Sequence, residues 1–443
     1  MAELQKKYGF WTATAMVVGI VIGSGVFFKA DNVLRAAGGS LPIALLAWAI
    51  GGAIMIVTAY VFSLVANRMS KVNGVSDYFE SAYGKTASYF VGWFMAIVYY
   101  PSLVAVLAWV SANYSTGLIG KPDWLWPLAF AYMVVFFLLN VFSPVLAGKW
   151  QVSTTIIKLI PLGLVAIVGA ISGLMTGQTL ESFSVSATVV GDNAGGLAVA
   201  TLATAFAYEG WILATSINAE LEDAKKNLPR ALVVGTLAVA LIYMLYYLGI
   251  SGVLSNADLI AAGDAAPVNV ISIVFGNIGG TVLTVFVVLS CLGTLNGLIM
   301  ASSRGMYVVA YHGQGPKPKF FAAVNATYNS TLNSALVGFV ISTFWLGVWY
   351  GNFAGWWGGF LDISELPIAF LYVCYIAIYI WVIRAFDELG PLSRYLAPFC
   401  AGLGSLYIIW GASQKDFFSL FLVILAAIFA VGFILKDEQS CLR

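Results

Sequence analysis

The chain has 443 residues, 61% of them hydrophobic and 9% charged, with a formal net charge of +1. Soluble domains carry about 25% charged residues, so this composition excludes an ordinary soluble enzyme or nucleic-acid-binding protein and points to a membrane protein. No polar stretch is long enough for a separate soluble domain, and Cys291, Cys374, Cys400 and Cys441 show neither metal-ligand spacing nor evident pairing.

A hydrocarbon core needs about 20 apolar residues per helix. On that scale the sequence predicts twelve spans: 10–36, 40–66, 87–117, 124–143, 150–172, 194–219, 230–251, 275–311, 331–351, 355–382, 396–413 and 416–436. The first run is too long for a secretory signal, and many like it follow. The first, third and eighth exceed a minimal span and are expected to tilt, break or extend into the aqueous layers. With the N-terminus in the cytoplasm, 16 of the 21 lysines and arginines fall in inner segments. Only Lys29, Arg35, Lys121 and Lys415 fall in outer ones, and Lys158 lies inside a span. That bias predicts a cell-membrane protein with both termini cytoplasmic.

The first span contains "VVGIVIGSGVFF" (17–28), with Gly19, Gly23 and Gly25 close together. Glycine costs a helix about 1 kcal/mol relative to alanine. One reading is a close helix contact through the Gly19/Gly23 pair; the other is a helix that breaks. The sixth span, "VATLATAFAYEGWILATSINAE" (199–220), is interrupted at Tyr208, Glu209 and Gly210. Spans one to five and six to ten then each open on a broken helix, a correspondence of position and not of sequence identity. Matching interruptions in two halves point to a transporter site at the midplane.

A break at Gly23-Ser24-Gly25 would free backbone N–H groups at the positive end of the following half-helix, which suit a carboxylate together with the Ser24 hydroxyl. Freed carbonyls around Val21 and Ile22, and around Phe206, Ala207 and Glu209, suit an ammonium group. Small residues let a ligand reach the backbone. The pattern fits the zwitterionic end of an α-amino acid, with the carboxylate on the amides of Ser24 and Gly25 and the amine on carbonyls of Val21, Phe206 and Glu209. Phe206 could close over it from outside, with plain aromatic packing among Phe206, Tyr208 and Trp211 as the equal alternative.

Lys158 sits in the middle of the fifth span, where a lysine costs roughly 2.5–3.5 kcal/mol on insertion scales, and is expected to face the bundle interior. Glu209 is read either as a gate or as a carboxyl satisfied by the helix break. Asp362 and Glu365, near the outer end of span ten, are read as solvated. Pro101, Pro161 and Pro367 are expected to mark kinks. Tryptophans near span ends (Trp11, Trp124, Trp126, Trp356, Trp357) read as interfacial anchors.

Several of these stretches resemble one family. "GIVIGSGVF" in the first span, "NGVSDYFESAYG" in the first inner loop, "FAYEGW" in the sixth span, "LEDAKKNLPRA" after it, and "SCLGTLNGLIMASSRGMYVVAYHGQGP" in and after the eighth are similar to the amino acid–polyamine–organocation (APC) transporters. Within them the likeness is strongest to L-type amino acid transporters and their bacterial relatives. The resemblance implies an all-α polytopic LeuT-like fold of two inverted five-helix repeats plus two helices, divided as 1–173, 174–384 and 385–443, with helices one and six unwound. It implies exchange of small neutral L-amino acids such as alanine, serine and cysteine, and places Lys158 beside the first and eighth spans in the role of a sodium ion, hence sodium independence. A proton-coupled symporter of the same fold, with Lys158 titrating, is the alternative.

Two departures stand out. The outer loop "GLIGKPDW" (117–124) lacks the cysteine by which light subunits join a heavy subunit, so no disulfide-linked partner and a bacterial origin are expected. His312, the only histidine, stands where the family frequently has an acid, which removes a carboxylate from the cytoplasmic gate and favours a structural role. No nucleotide-binding loop, metal motif or nucleophile elbow is present, so the expected partners are amino acids and membrane lipid, with no cofactor, metal or nucleic acid. A receptor that binds amino acids without moving them ranks low, because the inner loops are too short for a signalling domain.

Overall fold

A computed structural model describes residues 9–69, 74–186, 195–212 and 221–436. Within them the chain is helical, with one isolated bridge between Asn325 and Ser330. The helices of the N-terminal part are α1 (Phe10–Val21), α2 (Gly25–Phe28), α3 (Ala30–Ala36), α4 (Leu41–Arg68), α5 (Val75–Tyr83), α6 (Lys85–Phe94), α7 (Tyr100–Ile119) and α8 (Leu125–Phe142). Then come α9 (Pro144–Ile157), α10 (Leu159–Leu164), α11 (Ala170–Thr176), α12 (Gln178–Ser184), α13 (Gly196–Tyr208), α14 (Ala224–Ser251) and α15 (Asn256–Ala262). The chain continues through α16 (Ala266–Ser302), α17 (Gly305–Tyr311), α18 (Pro318–Phe321), α19 (Leu332–Phe353), α20 (Leu366–Ala385), α21 (Ala397–Ser413) and α22 (Phe418–Ile434).

Among the described residues, nine helical runs are long and apolar enough to cross a membrane. Three shorter apolar helices, Phe10–Gly19, Gly196–Tyr208 and Phe418–Ile434, fall where the first, sixth and twelfth spans are expected. The far part of the sixth span (213–219) and Cys441 lie outside the described residues. Cys291, Cys374 and Cys400 are free thiols.

By contact the chain forms two compact units, one of residues 1–74, 155–287 and 369–415, the other of 75–154, 288–368 and 416–443. The expected division into 1–173, 174–384 and 385–443 is one of topology, which compactness does not test.

In the first unit α4 packs against α13, α14 and α21, and α14 packs against α1 and the π-helical turn Val165–Gly169. Glycine makes these approaches close. A Cβ at Gly51 of α4 would overlap the Thr204 hydroxyl of α13, and one at Gly249 of α14 would overlap the Val165 carbonyl. Membrane helices associate through such small residues because lipid tails offer no hydrophobic contrast. In the second unit α7 packs against α8 and α19, and α6 against α5, α17 and α22. The Tyr89 hydroxyl donates to the Gly432 carbonyl at 2.6 Å and Trp93 Nε1 to the Ile428 carbonyl at 3.0 Å, tying α22 to α6.

Three expectations are corrected. The tenth span starts at Leu366, not at 355, because the preceding stretch is a turn with Gly355 and Gly358 at positive φ. Pro367 therefore opens α20 instead of kinking a span, as suits a residue without an N–H to donate. Asp362 and Glu365 are buried, not wet: the Asp362 carboxylate accepts the N–H groups of Ser364 (2.9 Å) and Glu365 (3.1 Å) and the Ser364 hydroxyl, so it caps α20. A π-helical turn, Met95–Tyr99, precedes Pro101.

Candidate functional site

The first span leaves helical geometry where its glycines cluster. α1 ends at Val21, Ile22 is extended (φ −64, ψ 109), and the helix resumes as α2 with Ser24 at its N-cap. The first N–H groups of a helix have no intrahelical partner, so this end presents donors. Ser24 is 1% exposed, and its hydroxyl has no hydrogen-bond partner and caps nothing. A buried hydroxyl without a partner costs on the order of 1–3 kcal/mol.

The sixth span stops at the matching place. α13 ends at Tyr208, Glu209 is extended (φ −69, ψ 158) and Gly210 takes φ 105, a conformation that requires glycine. The Glu209 N–H reaches back to the Phe206 carbonyl at 3.4 Å, so that carbonyl is already engaged by the chain itself. Tyr372 of α20 lies within electrostatic reach of the Glu209 carboxylate.

The two ends meet. A Cβ at Gly25 would overlap Ala207 Cα, so α2 touches α13 backbone to backbone. At Gly25 the glycine thus serves close helix contact as well as the break. The Tyr243 hydroxyl of α14 lies 3.2 Å from both the Val21 and Ala207 carbonyls, two of the candidate substrate acceptors. One hydroxyl proton serves one acceptor at a time, so the pair is shared and a bound ammonium group would compete for it. The Tyr208 hydroxyl donates to the Trp48 carbonyl of α4 at 2.9 Å, and the Tyr208 ring stacks on Tyr243 at 5.3 Å between centroids. Phe206 meets Phe28 edge to face at 5.7 Å, so the aromatic expected as a lid closes onto α2.

Of the expected site residues, Val21, Ile22, Gly23, Ser24, Gly25, Phe206, Ala207 and Glu209 therefore lie at two facing helix ends. Lys158 is 3% exposed at the junction of α9 and α10 (φ −67, ψ −22). It comes to the site at the level of helices: α10 packs against α14, which packs against α1. Tyr243 and Tyr247, whose hydroxyl donates to the Ala30 carbonyl at 3.0 Å, were not singled out by sequence, since in an apolar helix a tyrosine looks like packing until its partner is known. Lys29, assigned by position to an outer segment, is buried, with Nζ 4.9 Å from the Phe28 ring centroid and 5.3 Å from that of Phe206.

His312 caps the end of α17, in keeping with a structural role. Its Nε2 faces Asp77 at 3.3 Å and its Nδ1 faces Glu80 at 3.4 Å, so α5 supplies two carboxylates to the ring that replaces an acid. These three side chains form a group with metal-ligand types and spacing.

The fold and this site define an all-helical multi-pass membrane transporter. The fold is shared with MHP1, a nucleobase-cation-symport-1 family transporter solved in a closed conformation with bromovinylhydantoin bound (TM-score 0.53, 14% identity, 93% of this chain and 94% of that one). The chain belongs to the amino acid permease family, whose model matches residues 8–438. It is 29% identical to the serine/threonine exchanger SteT of Bacillus subtilis (strain 168) over 95% of this chain and 94% of that protein. It is 27% identical to the mouse Asc-type amino acid transporter 1 over 75% of this chain, and 28% identical to the human large neutral amino acids transporter small subunit 2 over 71%. The chain spans 63% and 59% of the length of those two.

Proposed function

We propose that the protein is a sodium-independent exchanger of small neutral L-amino acids such as alanine, serine and cysteine, working by alternating access. The observation that carries this reading is the buried, unpartnered Ser24 hydroxyl at the start of α2, set against the broken end of α13. Membrane helices that break for structural reasons re-satisfy their polar groups; a polar group left over is a place for a ligand. The substrate carboxylate binds the amides of Ser24 and Gly25 with that hydroxyl. Its ammonium group takes the Val21 carbonyl in competition with Tyr243, together with the carbonyls at the end of α13. The likeness to an exchanger named for serine and threonine supports the substrate class. Twelve helices in two inverted repeats, unwound at the first and sixth, complete the reading, with both termini cytoplasmic.

Lys158 stands where a cation-coupled relative would bind its ion, which makes sodium unnecessary. The outer loop 117–124 has no cysteine, so the protein works without a disulfide-linked partner. Uptake of labelled L-serine into proteoliposomes tests this, with internal cold amino acid, sodium and a pH gradient varied separately. Exchange predicts uptake only with internal substrate and indifference to sodium. Uptake into empty vesicles that rises with an inward proton gradient would make the protein a symporter with Lys158 as its proton site.

A further inference from the structure

The charged group nearest the aromatic lid plays no part in the reading above. Lys29 joins α2 to α3, one helical turn beyond Gly25, whose carbonyl accepts the Lys29 N–H at 2.9 Å. It is 2% exposed, and its ammonium group lies against both rings of the Phe28–Phe206 pair. Further charges surround this cation. Asp31 is buried with Oδ1 unpartnered, and its Oδ2 lies 3.9 Å from Arg35 Nη2. The same Arg35 nitrogen donates to the Ile260 carbonyl at 2.7 Å. Asp264, in the turn Gly263–Ala265, lies within electrostatic reach of Lys29, Asp31 and Arg35.

A lysine ammonium is attracted to the faces of aromatic rings, and the surrounding carboxylates stabilise its charge. The lid that would close over a substrate side chain therefore carries a positive charge of its own. We propose that Lys29 is a specificity-determining residue that excludes amino acids with cationic side chains. This rests on the reading of the site given above. An amino acid held by its backbone groups at Ser24 and Gly25 sits one turn from Lys29. The side chain of alanine or serine stops short of the lid. That of ornithine, lysine or arginine would bring a second cation to rings already occupied by one. Repulsion between like charges out of bulk water is several times stronger than in it.

The test compares L-ornithine with L-norleucine, which replaces the terminal ammonium by a methyl at equal length, as competitors of labelled L-serine exchange in proteoliposomes. The wild type should prefer L-norleucine by about tenfold or more. Lys29→Met, which keeps an unbranched side chain one atom shorter and removes its charge, should shrink that preference by about tenfold, and Lys29→Arg should retain it. Equal competition by the two ligands in the wild type, or a preference that survives in Lys29→Met, overturns the charge filter while leaving exchange intact. Absence of L-serine exchange in the wild type overturns the site reading and the filter with it. Should Lys29→Met fail to fold, Lys29→Gln gives the same comparison.

Discussion

Two kinds of interruption in this molecule break the same rule and handle the consequence differently. At Pro101 the helix loses the N–H that would return to the Ile97 carbonyl, and Trp345 Nε1 donates to that carbonyl at 2.9 Å. Pro229, inside α14, leaves the Lys225 carbonyl in the same position, and Asn67 Nδ2 donates to it at 3.2 Å. At Ser24 the chain also leaves helical geometry, yet the buried hydroxyl there meets no partner. Architectural bends are closed with hydrogen bonds from neighbouring helices. The break at Ser24 keeps an unused donor and acceptor.

The comparison can be broken by mutation, beginning with the largest effect. Gly25→Val forces a branched side chain into Ala207 Cα, backbone against side chain. Overpacking of this kind costs typically 1–3 kcal/mol, and because the strain falls between the two facing ends, L-serine binding should be lost altogether. Unchanged binding by scintillation proximity would mean the contact can slide apart at no cost.

Lys158→Ala comes next. It removes a buried lysine at another interruption, the α9–α10 junction, and should cut exchange by about tenfold or more while detergent-solubilised protein remains monodisperse. Full activity in proteoliposomes would remove Lys158 from the mechanism.

Ser24→Ala sharpens the comparison most. Where a buried hydroxyl has no partner, deleting it leaves the apparent Tm unchanged or raised, while L-serine affinity should fall by about tenfold, the worth of roughly 1.4 kcal/mol. A fall in Tm with unchanged affinity would show that the hydroxyl is structural after all.

Trp345→Phe is the mirror case and the smallest effect. Loss of the bond to Ile97 should lower stability by about 1–3 kcal/mol, read as a lower Tm, with L-serine affinity unaltered. An affinity loss larger than the stability loss would mean that the bend at Pro101 takes part in binding.

Much of this was legible in the chain itself. The apolar runs announce the spans because the hydrocarbon core sets their length. The glycines at 19, 23 and 25 and the Tyr208–Gly210 interruption mark where two of them stop, because glycine tolerates conformations a helix does not use. Lys158 was recognisable as interior because its charge is too costly against lipid. Asp362 and Glu365 were misread because a carboxylate near a span end can be wet or can cap the next helix, and only the position of Ser364 and the start of α20 decide which. Counting positive charges assigns Lys29 to a side of the membrane without saying which way it points, and packing alone shows it buried against Phe28 and Phe206.

By itself the sequence determined that the protein is a polytopic membrane helix bundle, where its helices weaken, and which residues could meet a zwitterion there, since composition and local backbone preference are properties of the chain. Tertiary structure alone decided which carbonyls Tyr243 shares, that Gly25 lies against Ala207, that Lys29 rests on Phe206, and which broken helices are repaired. Each of these joins residues far apart in sequence. A hydrogen bond or ring contact of that kind exists only once packing has brought its two halves within a few ångströms.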